Sequence, residues 1–362
     1  MIQHDITMKK QIFVMFLLSL LTLTAHADRT VRATDAGIRF TGRVERLADG
    51  AVRYDWVGTY VQTAFTGTSI SVRMSEEGES YHQVFIDGKL LGKLHFTGKE
   101  PHDVTLAKGL SKGQHVLRLQ KVTEGEFGRT TLYSFTAKGT GTFKAVAPKG
   151  RLIEIIGDSY TCGYGAEGTE TSHFEVKTEN CDKAYACLIA RYFNADYVIA
   201  AHSGMGVVRN YAGKKLKTMS QRYPMLYDDH DSIAYDFTQY KPNLVIINLG
   251  TNDFSTEAAP AGYVDGYVRL IQTVRSHYGD VPVLCVTPHS ANIFLQAALE
   301  QLRQRVSSMK DERVAEPMPD IVVKGHDIGS DWHPNWKGHQ KIASTLIPVV
   351  ATMTGWEMHN DL

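Results

Sequence analysis

The chain has 362 residues, 43% hydrophobic and 22% charged, with no low-complexity tract, which suits roughly two domains with buried cores and no need of a disulfide scaffold. Lys+Arg and Asp+Glu number 39 each, so the formal net charge is zero. That balance removes the electrostatic case for nucleic acid or an anionic membrane surface as partner.

The first segment reads as a targeting signal. Lys9-Lys10 precede an apolar run over residues 12–23, and Ala25-His26-Ala27 supplies the small residues of a cleavage site. The run is shorter than the ~20 residues a helix needs to cross a bilayer core, which disfavours the alternative of an uncleaved anchor. Met8-Lys9-Lys10 is the better start of such a signal, and no cysteine follows the cleavage point for lipid attachment. Residues 1–27 are therefore expected to be removed, leaving a mature protein exported to the periplasm or beyond, without membrane anchoring.

Residues 28–147 read as β. Stretches 69–74 and 115–120 alternate apolar and polar residues, and the run 81–86 leads into Asp87-Gly88, a two-residue hairpin signal. Further turns fall at Gly67, Gly98 and Gly113, and no segment sustains a helical period. Short strands at this spacing predict an all-β sandwich of the jelly-roll kind.

Ala147-Pro148-Lys149-Gly150 marks the boundary to a second domain, 148–362. Apolar runs at 152–156, 196–200, 244–248 and 281–286 read as buried strands. Segments 183–193, 263–277, 293–309 and 338–353 carry helical spacing. Such alternation predicts an α/β/α domain with a parallel sheet covered on both faces. Functional groups in such folds collect at the carboxyl ends of the strands.

Those ends are where the polar residues lie. The first strand runs into Gly157-Asp158-Ser159, the second into His202-Ser203-Gly204, the third into Gly250-Thr251-Asn252-Asp253. Asp331-Trp332-His333-Pro334 precedes the final helix. Singly, each has a plain reading: a common turn, a helix cap, a surface loop. In this order along one sheet edge they support one another as an acyl-transfer site. A serine hydroxyl needs a base to take its proton, and histidine is the usual base near neutral pH. The tetrahedral intermediate needs preorganised donors, for which the backbone N–H groups of Ser159 and Gly204 and the amide of Asn252 are candidates.

At these residues the sequence resembles the SGNH, or GDSL, hydrolase superfamily. Gly157-Asp158-Ser159-Tyr160-Thr161-Cys162-Gly163-Tyr164-Gly165, preceded by a β-rich domain, resembles carbohydrate esterase family 2 more closely. The resemblance implies a jelly roll joined to an SGNH domain. It also implies removal of O-acetyl groups from plant polysaccharides such as xylan and glucomannan, favouring the primary 6-position. It makes Ser159 the nucleophile, His333 the base, and Gly204 and Asn252 partners in the oxyanion hole.

One position departs from the superfamily, which usually carries an aspartate three residues before the histidine. Ser330 stands there, and the nearest acid is Asp331. Either Asp331 reaches the imidazole, or a backbone carbonyl orients it and the enzyme runs on a Ser–His dyad, as some members do. Asp158 is the weaker candidate, better suited to bonding backbone in its own turn. Trp332 and Trp336 flank the histidine as a platform for a sugar ring, with Trp332 better placed; packing under the last helix is the alternative.

The four cysteines are Cys162, Cys181, Cys187 and Cys285. Export makes them eligible for disulfides, a Cys162–Cys181 bridge being one pairing and buried free thiols the alternative. His202, His230 and the acidic stretch 228–231 lack metal-ligand spacing, and the stretch reads as a solvated loop. No phosphate-binding glycine loop is present, so neither a metal nor a nucleotide cofactor is expected. Two alternatives stand beside the esterase: another SGNH acyl hydrolase (lipase, lysophospholipase or thioesterase), and a non-catalytic carbohydrate-binding protein.

Overall fold

Strands fill the first part of the chain: β1 (Arg29–Arg32), β2 (Arg39–Thr41), β3 (Glu45–Arg46), β4 (Val52–Tyr54), β5 (Tyr60–Thr66), β6 (Ser69–Ile86), β7 (Lys89–Thr97), β8 (His102–Lys108), β9 (Gln114–Lys121), β10 (Gly128–Ala137) and β11 (Phe143–Lys144). The computed structural model describes residues 28–139, 141–228, 233–256, 259–288, 291–315 and 323–359. The expected export signal, 1–27, and residues 229–232 of the acidic stretch lie outside the described residues.

All pairings in this part are antiparallel, and β6 organises them. Its first half pairs with β8 and β10, its second half with β7 and β9, so one 18-residue strand is shared by two sheets. Alternating side chains such as Ile70, Val72 and Met74 face a core that also holds Phe40, Phe65 and Phe135. The β6–β7 hairpin turns on Asp87 and Gly88, both left-handed (φ 53° and 78°), which matches the strand twist.

The second part builds one parallel sheet from β12 (Leu152–Gly157), β13 (Asp196–Ala201), β14 (Leu244–Asn248), β15 (Val283–Cys285) and β16 (Val314–Ala315), in the order β13-β12-β14-β15-β16. Its helices are α1 (Ser159–Cys162), α2 (Tyr185–Tyr192), α3 (Met219–Arg222), α4 (Tyr263–Tyr278), α5 (Ile293–Ser308) and α6 (Trp336–Thr354). Ile189 of α2 and Leu346 of α6 pack on one face of the sheet with Ile153 and Ile246. Ile271 of α4 and Leu302 of α5 pack on the other with Val245 and Ile247. Apolar residues on both faces explain why these strands read as unbroken apolar runs. The strand order reverses at β12, which opens a crevice beyond its carboxyl end.

The two parts share buried contacts. Val57, Tyr60 and Val122 join the core under β12 and β13. Arg43, fully enclosed, pairs with Glu154 of β12 (Nη2–Oε1 3.1 Å) and donates to the Met225 carbonyl at 2.8 Å. Tyr60 donates to Asp196 Oδ1 at 2.7 Å, and Trp56 Nε1 to the Leu226 carbonyl at 2.9 Å.

Candidate active site

Ser159 is the first residue of α1, at the carboxyl end of β12 where the strand order reverses. Asp158 caps this helix, its Oδ1 accepting the Tyr160 N–H at 3.2 Å. Across the crevice, residues 328–334 form a closed turn, with the Gly329 N–H donating to the His333 carbonyl at 2.7 Å. Inside it Asp331 and Trp332 are both left-handed (φ 48° and 67°), a conformation that typically costs ~1–3 kcal/mol per non-glycine residue.

Neighbours hold that strain in place. The Asp331 carboxylate accepts the Phe174 N–H at 2.9 Å and the Tyr164 hydroxyl at 3.3 Å, and pairs with His173 at 3.0 Å. The Ser330 N–H donates to the Gly165 carbonyl, and the Trp336 N–H to the Ala166 carbonyl. Gly165 is itself left-handed, and a Cβ there would lie 2.7 Å from Ser330 Cβ. The glycine lets the segment after the serine touch the histidine turn.

The twisted backbone aims the Asp331 carbonyl at His333 Nδ1, 3.0 Å away. A carbonyl only accepts, so Nδ1 carries the proton and Nε2 presents a lone pair. That lone pair meets Ser159 Oγ at 2.9 Å. Burial holds the imidazole below the usual histidine range, against the opposing pull of the Asp331 carbonyl and charge. Tyr164 lies against the ring at 4.3 Å between centroids, tilted by 37°, with Tyr160 edge-on at 5.4 Å.

Asp331 as the carboxylate that orients His333 is therefore corrected: the side chain is engaged with residues 164, 173 and 174, and the same residue's backbone oxygen does the orienting. The Cys162–Cys181 bridge is corrected as well, since all four cysteines are free and buried. Cys162 Sγ points to Glu124 (3.3 Å), whereas Cys181 Sγ faces the Lys121 carbonyl. A third correction concerns Asp228, expected in a solvated loop. It is 3% exposed, receiving His202 Nδ1 at 2.8 Å and Arg222 Nη1 at 3.2 Å.

Of the expected oxyanion donors, the N–H groups of Ser159 and Gly204 have no acceptor among the described residues. Gly204 adopts φ 77°, and a Cβ there would meet nothing nearer than 3.8 Å, so the backbone angle and not crowding asks for glycine. Asn252 Nδ2 is tied to Asp158 Oδ2 (3.1 Å) and the Met205 carbonyl (3.0 Å), which sets the amide beside the serine's own turn. Burial pushes the Asp158 carboxyl up to about 7. Asp253 accepts the N–H groups of Val207, Val208 and Arg209 at 2.8–2.9 Å, pinning the chain beyond Gly204. Trp332 is 74% exposed and Trp336 44%, which removes the reading of both as core packing.

A buried polar layer behind Gly204 leaves no motif in the sequence. Glu124, from the 122–127 loop of the β domain, accepts the Ser203 N–H at 2.6 Å. Burial alone would depress His202, but Asp228 and Glu126 beside it hold it well above the usual histidine value. Glu124, Cys162 and Glu179, and Glu124, His202 and Asp228, present possible metal-ligand atoms within 4.8 Å of one another. The hydrogen bonds and the Arg222 ion pair named above already engage the Cys162 thiol, His202, Asp228 and Glu124 Oε2.

Comparison with known proteins bears on the chemistry. Residues 40–146 match the family model described as carbohydrate esterase 2 N-terminal, and residues 155–341 that of the GDSL-like lipase/acylhydrolase family. The chain is 33% identical over 341 residues to the cellulase/esterase CelE of Acetivibrio thermocellus, covering 92% of this chain and 41% of that protein. It thus spans less than half the length of that relative. It is 32% identical over 310 residues to an acetylxylan esterase / glucomannan deacetylase of Cellvibrio japonicus, covering 81% of this chain and 84% of that one. A family two carbohydrate esterase from Clostridium thermocellum, solved with cellohexaose, aligns with a TM-score of 0.83 at 33% identity, over 88% of this chain and all of that one (100%). A family two carbohydrate esterase from Cellvibrio japonicus aligns equally well (0.83) at 24% identity, over 91% of this chain and 99% of that one, and speaks for the fold alone.

Proposed function

The chain belongs to carbohydrate esterase family 2, among the GDSL-like acylhydrolases, and from that premise we propose that it removes O-acetyl groups from plant polysaccharides such as xylan and glucomannan. The sugar's primary 6-position is the proposed site of attack, and the acetyl group passes through an ester on Ser159. The observation that carries this reading is the 2.9 Å contact of Ser159 Oγ with an imidazole nitrogen left unprotonated by its backbone partner.

The steps follow from that contact. His333 Nε2 takes the hydroxyl proton as Oγ attacks the acetyl carbonyl. The resulting oxyanion faces the unengaged N–H groups of Ser159 and Gly204, each such donor being typically worth ~3 kcal/mol in the transition state. The Asn252 amide, whose two hydrogens go to Asp158 Oδ2 and the Met205 carbonyl, joins them by sharing one of these hydrogens. The imidazolium then gives its proton to the sugar oxygen, which leaves as an alcohol. Water repeats the sequence on the acetyl-serine, releasing acetate. His333 needs no buried carboxylate behind it, because the Asp331 carbonyl fixes the tautomer.

Trp332, exposed beside His333, suits the apolar face of a pyranose, and Trp336 could extend that surface. The cellohexaose bound to the Clostridium thermocellum relative supports a β-linked glycan as ligand. Residues 1–27 fit export to where such polymers are met, and no helix among the described residues is long and apolar enough to cross a membrane.

Acetate release from acetylated xylan and glucomannan oligosaccharides, with NMR to identify the cleared position, tests the reading. Wild-type protein should clear the 6-acetyl first and Ser159→Ala should release none. A p-nitrophenyl ester series separates the lipase-like alternative: faster turnover of octanoate than of acetate would count against an acetylesterase.

A further inference from the structure

Gly204 sits on a turn whose own hydrogen bonds do not fix its N–H. Its carbonyl accepts the Tyr211 N–H at 2.8 Å, and a further restraint on the turn comes from the other domain. Glu124 Oε2 accepts the Ser203 N–H at 2.6 Å and the Cys162 thiol at 3.3 Å. Ser203 immediately precedes Gly204, and Cys162 ends the helix that Ser159 begins. One carboxyl group thus links the two backbone segments whose N–H groups face the oxyanion, and it comes from the loop joining β9 to β10.

We propose that Glu124 is a positioning residue of the oxyanion site, holding the Ser203–Gly204 turn at a fixed distance from the Ser159 helix. The inference rests on the acyl-transfer reading of Ser159.

Chemistry around the group supports a held position over a solvated one. Glu124 and Glu179 are both fully buried, and the Glu124 N–H donates to Glu179 Oε2 at 2.9 Å. Burial raises both carboxyls, Glu179 further because Glu124 lies against it. Two enclosed carboxyls in contact retain one proton between them. That proton gives the pair a donor where Glu124 Oε1 and Glu179 Oε1 otherwise have no partner. Lys121, His202, Glu126 and Asp228 are the other charged groups facing the pair, from β9, the end of β13 and the 122–127 and 223–228 loops. With its proton shared, Glu124 keeps Oε2 free to receive the Ser203 N–H.

Two substitutions separate reach from charge. Glu124→Gln keeps the reach: its amide oxygen takes the Ser203 N–H, and its NH2 supplies the donor toward Glu179. Glu124→Asp keeps the acid but is one methylene too short to span the gap. Steady-state hydrolysis of p-nitrophenyl acetate, with near-UV circular dichroism to confirm folding, should show kcat falling roughly 10- to 100-fold in Glu124→Asp at nearly unchanged KM, below the 100- to 1000-fold typical of losing a donor outright. Glu124→Gln should retain most of kcat. Affinity for methylboronic acid, which forms a tetrahedral adduct on the serine, should fall in step with kcat. Wild-type kcat in Glu124→Asp, or equal losses in both variants, overturns the inference. If Ser159→Ala still hydrolyses the ester, the acyl-transfer reading fails first, whatever the Glu124 variants do.

Discussion

His333 Nδ1 lies 3.0 Å from the backbone oxygen of Asp331, while the Asp331 carboxylate accepts the Phe174 N–H at 2.9 Å. One residue thus supplies the orienting group from its backbone and secures that backbone with its side chain. Replacing a triad aspartate by asparagine typically costs ~10,000-fold in kcat, because the histidine adopts the wrong tautomer. Here Asp331→Asn leaves the carbonyl in place, and asparagine tolerates the left-handed angle. The expected loss on p-nitrophenyl acetate is within about 10-fold, far from that of a triad member.

Asn252→Ala removes the hydrogen bonds to Asp158 and the Met205 carbonyl, and with them a neutral donor that the proposed oxyanion site shares. We expect kcat to fall about 100- to 1000-fold with KM little changed, the pattern of an interaction made chiefly in the transition state. A loss confined to KM would assign Asn252 to substrate binding instead.

The pH profile follows from the direction of the His333 shift. Burial holds the imidazole below its ordinary value of ~6.5, and only the neutral ring can accept the serine proton. Activity should therefore fall on the acid side with a midpoint below that value, leaving kcat/KM near its plateau at slightly acid pH. A midpoint above it would contradict the buried, carbonyl-held base.

Arg43 and Glu154 form an enclosed ion pair between the two domains, with Tyr223 also donating to Glu154 at 3.0 Å. Arg43→Met strands that carboxylate in the core. The expected loss is ~3–5 kcal/mol of unfolding free energy in urea titrations. Adding Glu154→Gln should return part of it, because a neutral amide still accepts from Tyr223.

The thiols give a chemical check on the fold. With four free, buried cysteines, a disulfide reagent should titrate none in the native protein and four once it is unfolded. Burial pushes the Cys285 thiol up to about 12 and Cys162 well above its usual range, which slows reaction further.

Much of the scaffold was legible because periodicity is local. The 263–277 and 293–309 patterns became α4 and α5, and Asp87-Gly88 formed the expected two-residue turn. β16, two residues long, offered no pattern to read. Nor did alternation reveal that 69–74 and 81–86 belong to one strand, since the polar stretch between them stays extended while changing sheets. Within the site, Ser159 and His333 carry side-chain chemistry that a motif records. The orienting carbonyl of Asp331 does not, because every residue has one and only the backbone angles decide where it points. Glu124 was hidden for another reason: its partner, Ser203, is 79 residues away and contributes only an N–H.

The polar seam between the domains bears on how such a chain can change by recombination. Glu154, Asp196 and the Ser203 N–H each lie against a group of the β domain: Arg43, Arg39 and Glu124. Splicing a foreign module onto the hydrolase part would leave these acids and this amide without counterparts in a desolvated seam. The two parts should therefore be inherited together, and new specificity should arise by substitution along the exposed aromatic rim more readily than by exchange of the amino-terminal domain.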